Sequence, residues 1–228
     1  MSSLPPGYTG PVPIFPLPTL VLFPHTVVPL HIFEPRYRAM VGDALQGDRL
    51  IAMALLKPGW EKYYEGAPPV HDVVGVGRIL HDERTEDGRF NILLEGIARA
   101  RIEELIPPDP YRRARVRVLS EPAAPATPDL ESVRLGLLAV YASLVGPGKP
   151  APARLETSLS LGTICDLLAG ILEVEIAEKQ AILEELEPGA RAKRTIEMIR
   201  RSPQAAGPVV SGLRKVMKSA WPPETTSN

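Results

Sequence analysis

Hydrophobic positions along the chain change their period once, near residue 120. Before that point the apolar runs are short and broken by proline. IFPLPTLVLF (residues 14–23) and TVVPLHIF (26–33) are rich in apolar and β-branched residues but carry Pro16, Pro18 and Pro29, a pattern that predicts edge or irregular strands. Glu34-Pro35 then predicts a helix start. Proline at the first helical position gives up an N–H that has no intrahelical partner, and glutamate meets the positive end of the helix. Tyr37, Met40, Val41, Ala44 and Leu45 recur at helical spacing and define a buried face, with Gly47 closing the helix. LIAMALL (50–56) reads as a buried strand. VVGVGRILHDERT and RFNILLEGI flank Glu86-Asp87-Gly88, a hairpin signal because glycine takes positive φ freely. In YRRARVRVL, period two sends Arg113, Arg115 and Arg117 to one face and Ala114, Val116 and Val118 to the other. The first half therefore predicts a twisted, mostly antiparallel sheet, partly closed into a barrel, with one helix near its start.

EPAAPATP (121–128) reads as a linker, and beyond it the period becomes 3.6. Leu130 to Val145 predicts one helix, ended by Gly146-Pro147-Gly148. Ile164, Leu167, Leu168, Ile171 and Leu172 form an i, i+3, i+4, i+7, i+8 stripe on a second. Ile176–Leu186 and Ala190–Arg201 supply two more, separated by Pro188-Gly189. The expected organisation is a β-rich domain over residues 11–120, a helical bundle over 129–201 and a tail over 202–228. Within the tail, Val209 to Ala220, bracketed by Pro208 and Pro222, reads as a short basic amphipathic helix.

Composition changes this picture little. The 228 residues are 44% apolar and 23% charged with a net charge of −1, so no global field attracts nucleic acid or anionic lipid. The 26 prolines are about twice the usual share and fit interrupted, extended segments. Residues 1–33 carry no Lys, Arg, Asp or Glu, which raises the question of a membrane segment. Pro13, Pro16, Pro18, Pro24 and Pro29 lie too close together for a spanning helix, and a basic n-region with an unbroken apolar core is missing. One cysteine excludes an intramolecular disulfide framework. A cytoplasmic protein is expected.

Catalytic patterns fail one by one. Gly75-Val76-Gly77 lacks a third glycine and a following helix, so it marks a strand bend or bulge rather than a dinucleotide site. Gly146-Pro147-Gly148-Lys149 has Pro150 where a phosphate loop needs Ser or Thr. His25, His31, His71 and His81 share no metal-ligand spacing with one another or with Cys165, and Cys165 sits on an apolar helix as a core thiol. No carboxylate pair stands out for acid–base work. Neither a catalytic residue, nor a metal site, nor a cofactor is expected. Arg113, Arg115 and Arg117 form a basic stripe that could track an RNA backbone. Only Tyr111 offers a stacking ring beside them, so a solvated sheet face is the simpler reading. Arg214, Lys215 and Lys218 in the tail could touch a membrane or an acidic partner, and again a solvated helix face is simpler.

FPLPTLVLFPHTVVPLHIFEPRYRAMVGDAL closely resembles the opening of the N-terminal, substrate-binding domain of the Lon protease family. VVGVGRILHDERTEDGRFNILLEGIARARIEELIPPDPYRRARVRVL is similar to that family's later strands, and ICDLLAGILEVEIAEKQAILEELEPGARAKRTIEMIR to its helical part; the likeness covers residues 11 to 201. The resemblance implies an α+β fold: a PUA-like β pseudo-barrel with one helix, then a C-terminal α-helical bundle. Lon's ATPase and serine–lysine protease modules have no counterpart here, since the chain lacks a Walker A loop and continues only about 27 residues past Arg201. What the resemblance carries over is protein binding: unfolded or client proteins as partners, an adaptor role, and possible work with an ATP-dependent protease. Phe33, Arg36, Tyr37, Arg38 and Met40, around the strand-to-helix junction, are the candidate peptide-binding residues. The alternative role for Phe33, Tyr37 and Met40 is packing the helix onto the sheet. The alternative function is an RNA-binding PUA-like protein using Arg113, Arg115 and Arg117. The oligomeric state is left open.

Overall fold

A computed structural model of the chain describes residues 8, 10–63, 66–123, 127–145 and 159–203. Six strands and five α-helices follow one another in the order β1 (Val12–Leu17), β2 (Val27–Ile32), α1 (Pro35–Gln46), β3 (Leu50–Leu55), β4 (Val73–Arg84), β5 (Phe90–Ile106), β6 (Arg113–Val118), α2 (Pro128–Val145), α3 (Leu161–Ile171), α4 (Ile176–Glu184) and α5 (Pro188–Arg201). A short 3-10 turn spans Trp60–Tyr63.

The sheet runs β2-β5-β4-β3-β1-β6, and β6 pairs again with β5. Five strands therefore form a ring, with β2 laid outside it on the first half of the 17-residue β5. The closure is thin: β1 and β6 meet only at Val12–Ala114 and Pro13–Arg113. The result is a pseudo-barrel rather than a clean barrel. β1 and β3 are parallel and every other ladder is antiparallel.

The proline-rich opening departs from a simple strand for a clear physical reason. Pro18 leaves the ladder, and Val21, Leu22 and Phe23 cross the sheet as buried, irregular chain. Glycines make that crossing possible. A Cβ on Gly75 would stand 2.0 Å from the Leu22 carbonyl oxygen, and one on Gly96 2.0 Å from that of Phe23. The Gly75-Val76-Gly77 stretch also carries the expected bulge, a register shift between Val76 and Gly77. At the hairpin tip Gly88 takes φ +78, as the Asp-Gly pair predicts.

Helix α1 starts as expected, with Pro35 at N1 and Glu34 as N-cap. Tyr37, Met40, Val41 and Ala44 pack against Phe15, Ile51, Ile79 and Leu94. In the bundle, Pro188-Gly189 turns out to be the first turn of α5 rather than a spacer. Proline is preorganised for N1, and the Glu187 carboxylate accepts from the Gly189 N–H at 2.9 Å and from that of Ala190.

Sheet and bundle share one core. Val21, Phe23, Leu55 and Val73 pack with Leu137, Ile164, Leu168 and Ile196. Across the same interface the Arg99 guanidinium holds the Asp166 carboxylate with both terminal nitrogens, the Nη1 bond measuring 2.8 Å, and donates from Nε to the Leu183 carbonyl at 3.0 Å. Arg191, fully buried, adds an ion pair to Glu121 and stands 3.5 Å from Asp166. The anticipated boundaries at residues 120 and 129 fall between stretches of sequence that both contribute side chains to this core. The tail helix expected over 209–220 lies outside the described residues. Among those residues no helix is long and apolar enough to cross a membrane.

Candidate functional site

The junction of β2 and α1 divides the five candidate residues into two groups. Tyr37 and Met40 are core residues, 7% and 0% exposed, because helical spacing points both at the sheet. They hold α1 in place; Met40 has no exposed surface, while Tyr37 reaches the wall of a small pocket together with Arg36, Pro110 and Arg112. Phe33 is the opposite case, 59% exposed where the chain leaves β2. Its ring stacks on that of His31 at 6.3 Å, and His31 Nδ1 is hydrogen-bonded to Asn91 Oδ1 at 2.8 Å.

Arg36 and Arg38 stand half-exposed on the first turn of α1. The Arg36 Nε donates to Glu34 at 2.9 Å, and its guanidinium lies 4.6 Å from the Tyr37 ring centroid. Glu34 therefore serves as an ion-pair partner and makes no side-chain cap on the helix. Arg38 reaches the hairpin tip, its guanidinium close enough that a Cβ on Gly88 would collide with it. The pairing of Ile32 with Phe90 brings the end of β2 to the same corner. One exposed aromatic ring thus stands three residues before Arg36, which is paired with Glu34, and five before Arg38, which reaches the hairpin tip.

A wider apolar surface, which the sequence reading did not locate, continues from that corner along β2. Register places Val27, Pro29 and His31 on the outer face beside Glu95, Leu93 and Asn91 of β5. Val27, Leu93 and Leu80 are all substantially exposed. Among the described strands β2 ladders with β5 alone, so its far edge carries no strand. The available signal was parity: Val27, Pro29, His31 and Phe33 share one face of a strand whose other face carries Val28, Leu30 and Ile32.

The arginine stripe of β6 is occupied by local partners. Arg115 Nε donates to Glu104 at 3.1 Å and Arg117 Nε to Glu103 at 2.9 Å, both carboxylates coming from the adjacent β5. Arg113 is half-buried, its Nε enclosed without a hydrogen-bond partner among the described residues. The three arginines do not form one free basic face, which weighs against RNA.

Burial pushes the Cys165 thiol up to about 12, which keeps it protonated and unreactive. Among the described residues, no three His, Cys, Asp or Glu side chains gather as a metal site.

An α+β pseudo-barrel with a helical bundle packed on it is the fold of the Lon N-terminal domain class. The sequence profile of the ATP-dependent protease La (LON) substrate-binding domain matches residues 11–201, and the chain belongs to that family. It is 29% identical over 194 residues to Lon protease 2 of Myxococcus xanthus, covering 83% of this chain and 23% of that protein. It is 27% identical over 194 residues to the Lon protease of Anaeromyxobacter dehalogenans, with the same coverage of each. The chain thus spans about a quarter of the length of these relatives. Two solved structures share the fold. A Lon N-terminal domain protein from Xanthomonas campestris superposes with TM-score 0.61 at 22% identity, covering 82% of this chain and 98% of that one. The N-terminal domain of the Mycobacterium avium complex Lon protease gives 0.60 at 18% identity, covering 83% and 97%.

Proposed function

We propose that the chain is a non-catalytic protein-binding module that engages unfolded or client polypeptides and acts as an adaptor, with an ATP-dependent protease as its candidate partner. One observation carries the proposal. β2 is an end strand whose outer face presents Val27, Pro29 and Phe33 beside Leu93, with no strand on its far edge among the described residues. An extended client added to such an edge gains main-chain hydrogen bonds that make few demands on its sequence, while the apolar row receives alternate side chains. Membership of a substrate-binding family supports the same role. Phe33 is the apolar anchor, Arg36 and Arg38 favour acidic stretches beside it, and Tyr37 and Met40 fix the corner from inside. A cytoplasmic location is part of the proposal, and such clients are compatible with it. The test is a titration of a fluorescently labelled polypeptide, reduced and alkylated so that it stays unfolded, against the same polypeptide in its folded form. Saturable binding of the unfolded form alone supports the proposal; equal binding of both, or of neither, overturns it.

A further inference from the structure

The open edge of β2 carries an uneven set of main-chain groups, and the register shows which ones. Val27 stands opposite Glu95, and the later residues of β2 follow in step to Ile32 opposite Phe90. One residue before that run, the Gly96 N–H donates to the Thr26 carbonyl at 2.8 Å, so Thr26 and Gly96 form a hydrogen-bonded pair. In an antiparallel ladder such pairs alternate with pairs whose N–H and C=O groups point away from each other. Val28, Leu30 and Ile32 therefore bond to β5, while Val27, Pro29 and His31 turn their main-chain groups outward. Pro29 agrees with this parity, because proline is tolerated in a strand where the missing donor would face away from the sheet.

The open edge thus presents three carbonyls, from Val27, Pro29 and His31, but N–H groups from Val27 and His31 alone. Among the described residues none of these groups has a main-chain partner. The gap falls at the centre, where the Pro29 Cδ takes the place of the donor. An extended client laid antiparallel on this edge forgoes one main-chain bond, the one that Pro29 would have donated. A second copy of β2 centred on the same residue sets Pro29 opposite Pro29, with Val27 opposite His31 on either side. That pairing forgoes two bonds, and each central carbonyl meets a proline ring. Sliding the copy by two residues puts both prolines opposite other residues but shortens the overlap, so fewer bonds remain.

We infer that Pro29 sets what this edge accepts, admitting an extended client strand and turning away a second copy of β2. This role rests on the strand-addition reading proposed above and names the residue that decides between the two partners. Each proline removes one donor, and a second copy brings a second proline.

Pro29→Ala restores the central donor without touching the bonds to β5. One net hydrogen bond corresponds to roughly a three- to tenfold change in affinity. Binding of the labelled, reduced and alkylated polypeptide should tighten by about that factor. Self-association regains two bonds and should strengthen roughly ten- to a hundredfold. Fluorescence titration reads the first effect, and sedimentation velocity over a concentration series reads the second. The double variant Val27→Pro with Pro29→Ala moves the gap by two residues and keeps one outward donor missing, so it should self-associate no more than the unsubstituted chain. Neither position bonds to β5, and both variants should melt close to the unsubstituted chain; a collapse of either would contradict the parity assigned to β2. Equal sedimentation of Pro29→Ala and the unsubstituted chain overturns the inference. So does association that persists in the double variant, which would assign the effect to side-chain packing. Polypeptide binding that is absent or unchanged, in a protein whose Pro29→Ala form self-associates, would refute strand addition by the client and leave the exclusion of a second copy standing.

Discussion

Arg99 of β5 and Asp166 of α3 form a two-pronged ion pair, 6% and 3% exposed at the side chain, across the boundary between sheet and bundle. Each ion is costly to bury, and each is satisfied here by the other and by further partners: Arg99 by the Leu183 carbonyl, Asp166 by the nearby Arg191. Asp166→Ala leaves two buried guanidinium groups short of a carboxylate and should cost about 3–5 kcal/mol of stability. Replacing both partners together, Arg99→Met with Asp166→Leu, should cost far less than the two single changes added. Urea unfolding of the four proteins gives the coupling directly.

The crossing of residues 21–23 over the sheet allows no side chain on Gly75 or Gly96. Gly96→Ala sets a methyl group against a backbone carbonyl that cannot move without dislodging Phe23 from the core. A loss of more than about 3 kcal/mol is expected, the scale of severe overpacking. Gly42, where a Cβ meets nothing within 4 Å, is the control. Gly42→Ala in α1 should stabilise by about 0.5–1 kcal/mol, because alanine is the better helix former. Thermal unfolding of the two variants separates the cases.

Phe33 and Met40 lie seven residues apart with opposite duties. Phe33→Ala should leave the melting temperature nearly unchanged and weaken binding of an unfolded polypeptide several-fold to about tenfold, as for an exposed hot-spot aromatic. Met40→Ala empties a fully buried site and should cost about 2–5 kcal/mol. Its binding should follow the fraction of folded protein. Parallel melting and binding curves distinguish these outcomes.

Tyr111 donates its hydroxyl to Asp43 at 2.7 Å, and burial followed by that hydrogen bond pushes its pKa up to about 12. The folded state thus holds the proton more tightly than the unfolded chain does. The stabilisation is complete below the ordinary tyrosine value near 10 and disappears as pH climbs from there to about 12. Cys165, raised to about 12 mainly by burial, acts in the same direction over a similar range. Stability should therefore fall steeply above about pH 10. Tyr111→Phe should cost about 0.5–1.5 kcal/mol near neutral pH and flatten that alkaline fall. Urea melts at neutral and alkaline pH check both.

Much of the fold was legible because local signals agreed with tertiary demands. Glu34-Pro35 starts α1, Asp87-Gly88 turns the hairpin, and Ile164, Leu167 and Leu168 of the predicted stripe lie on the buried side of α3, whereas Ile171 at its end is exposed. The irregular path of residues 18–26 was not legible, since apolar chain crossing a sheet has the composition of a strand. Pro188-Gly189 misled in the other direction: two residues that usually break helices here begin one, because Glu187 caps it. The charge network of Arg99, Asp166, Arg191 and Glu121 left no trace in local spacing, its members being spread over about ninety residues. At the candidate site, sequence spacing located the junction and predicted the buried face of α1. The open edge of β2 depends on which strand pairs with which, and only the assembled sheet reveals it.

Amide hydrogen exchange of the full chain, alone and with a saturating amount of the unfolded polypeptide, tests the central claim most directly. Added-strand binding predicts slowed exchange concentrated in residues 27–38, with the amides of β6 unchanged. Binding that leaves residues 27–38 unaltered while protecting another surface would contradict the account.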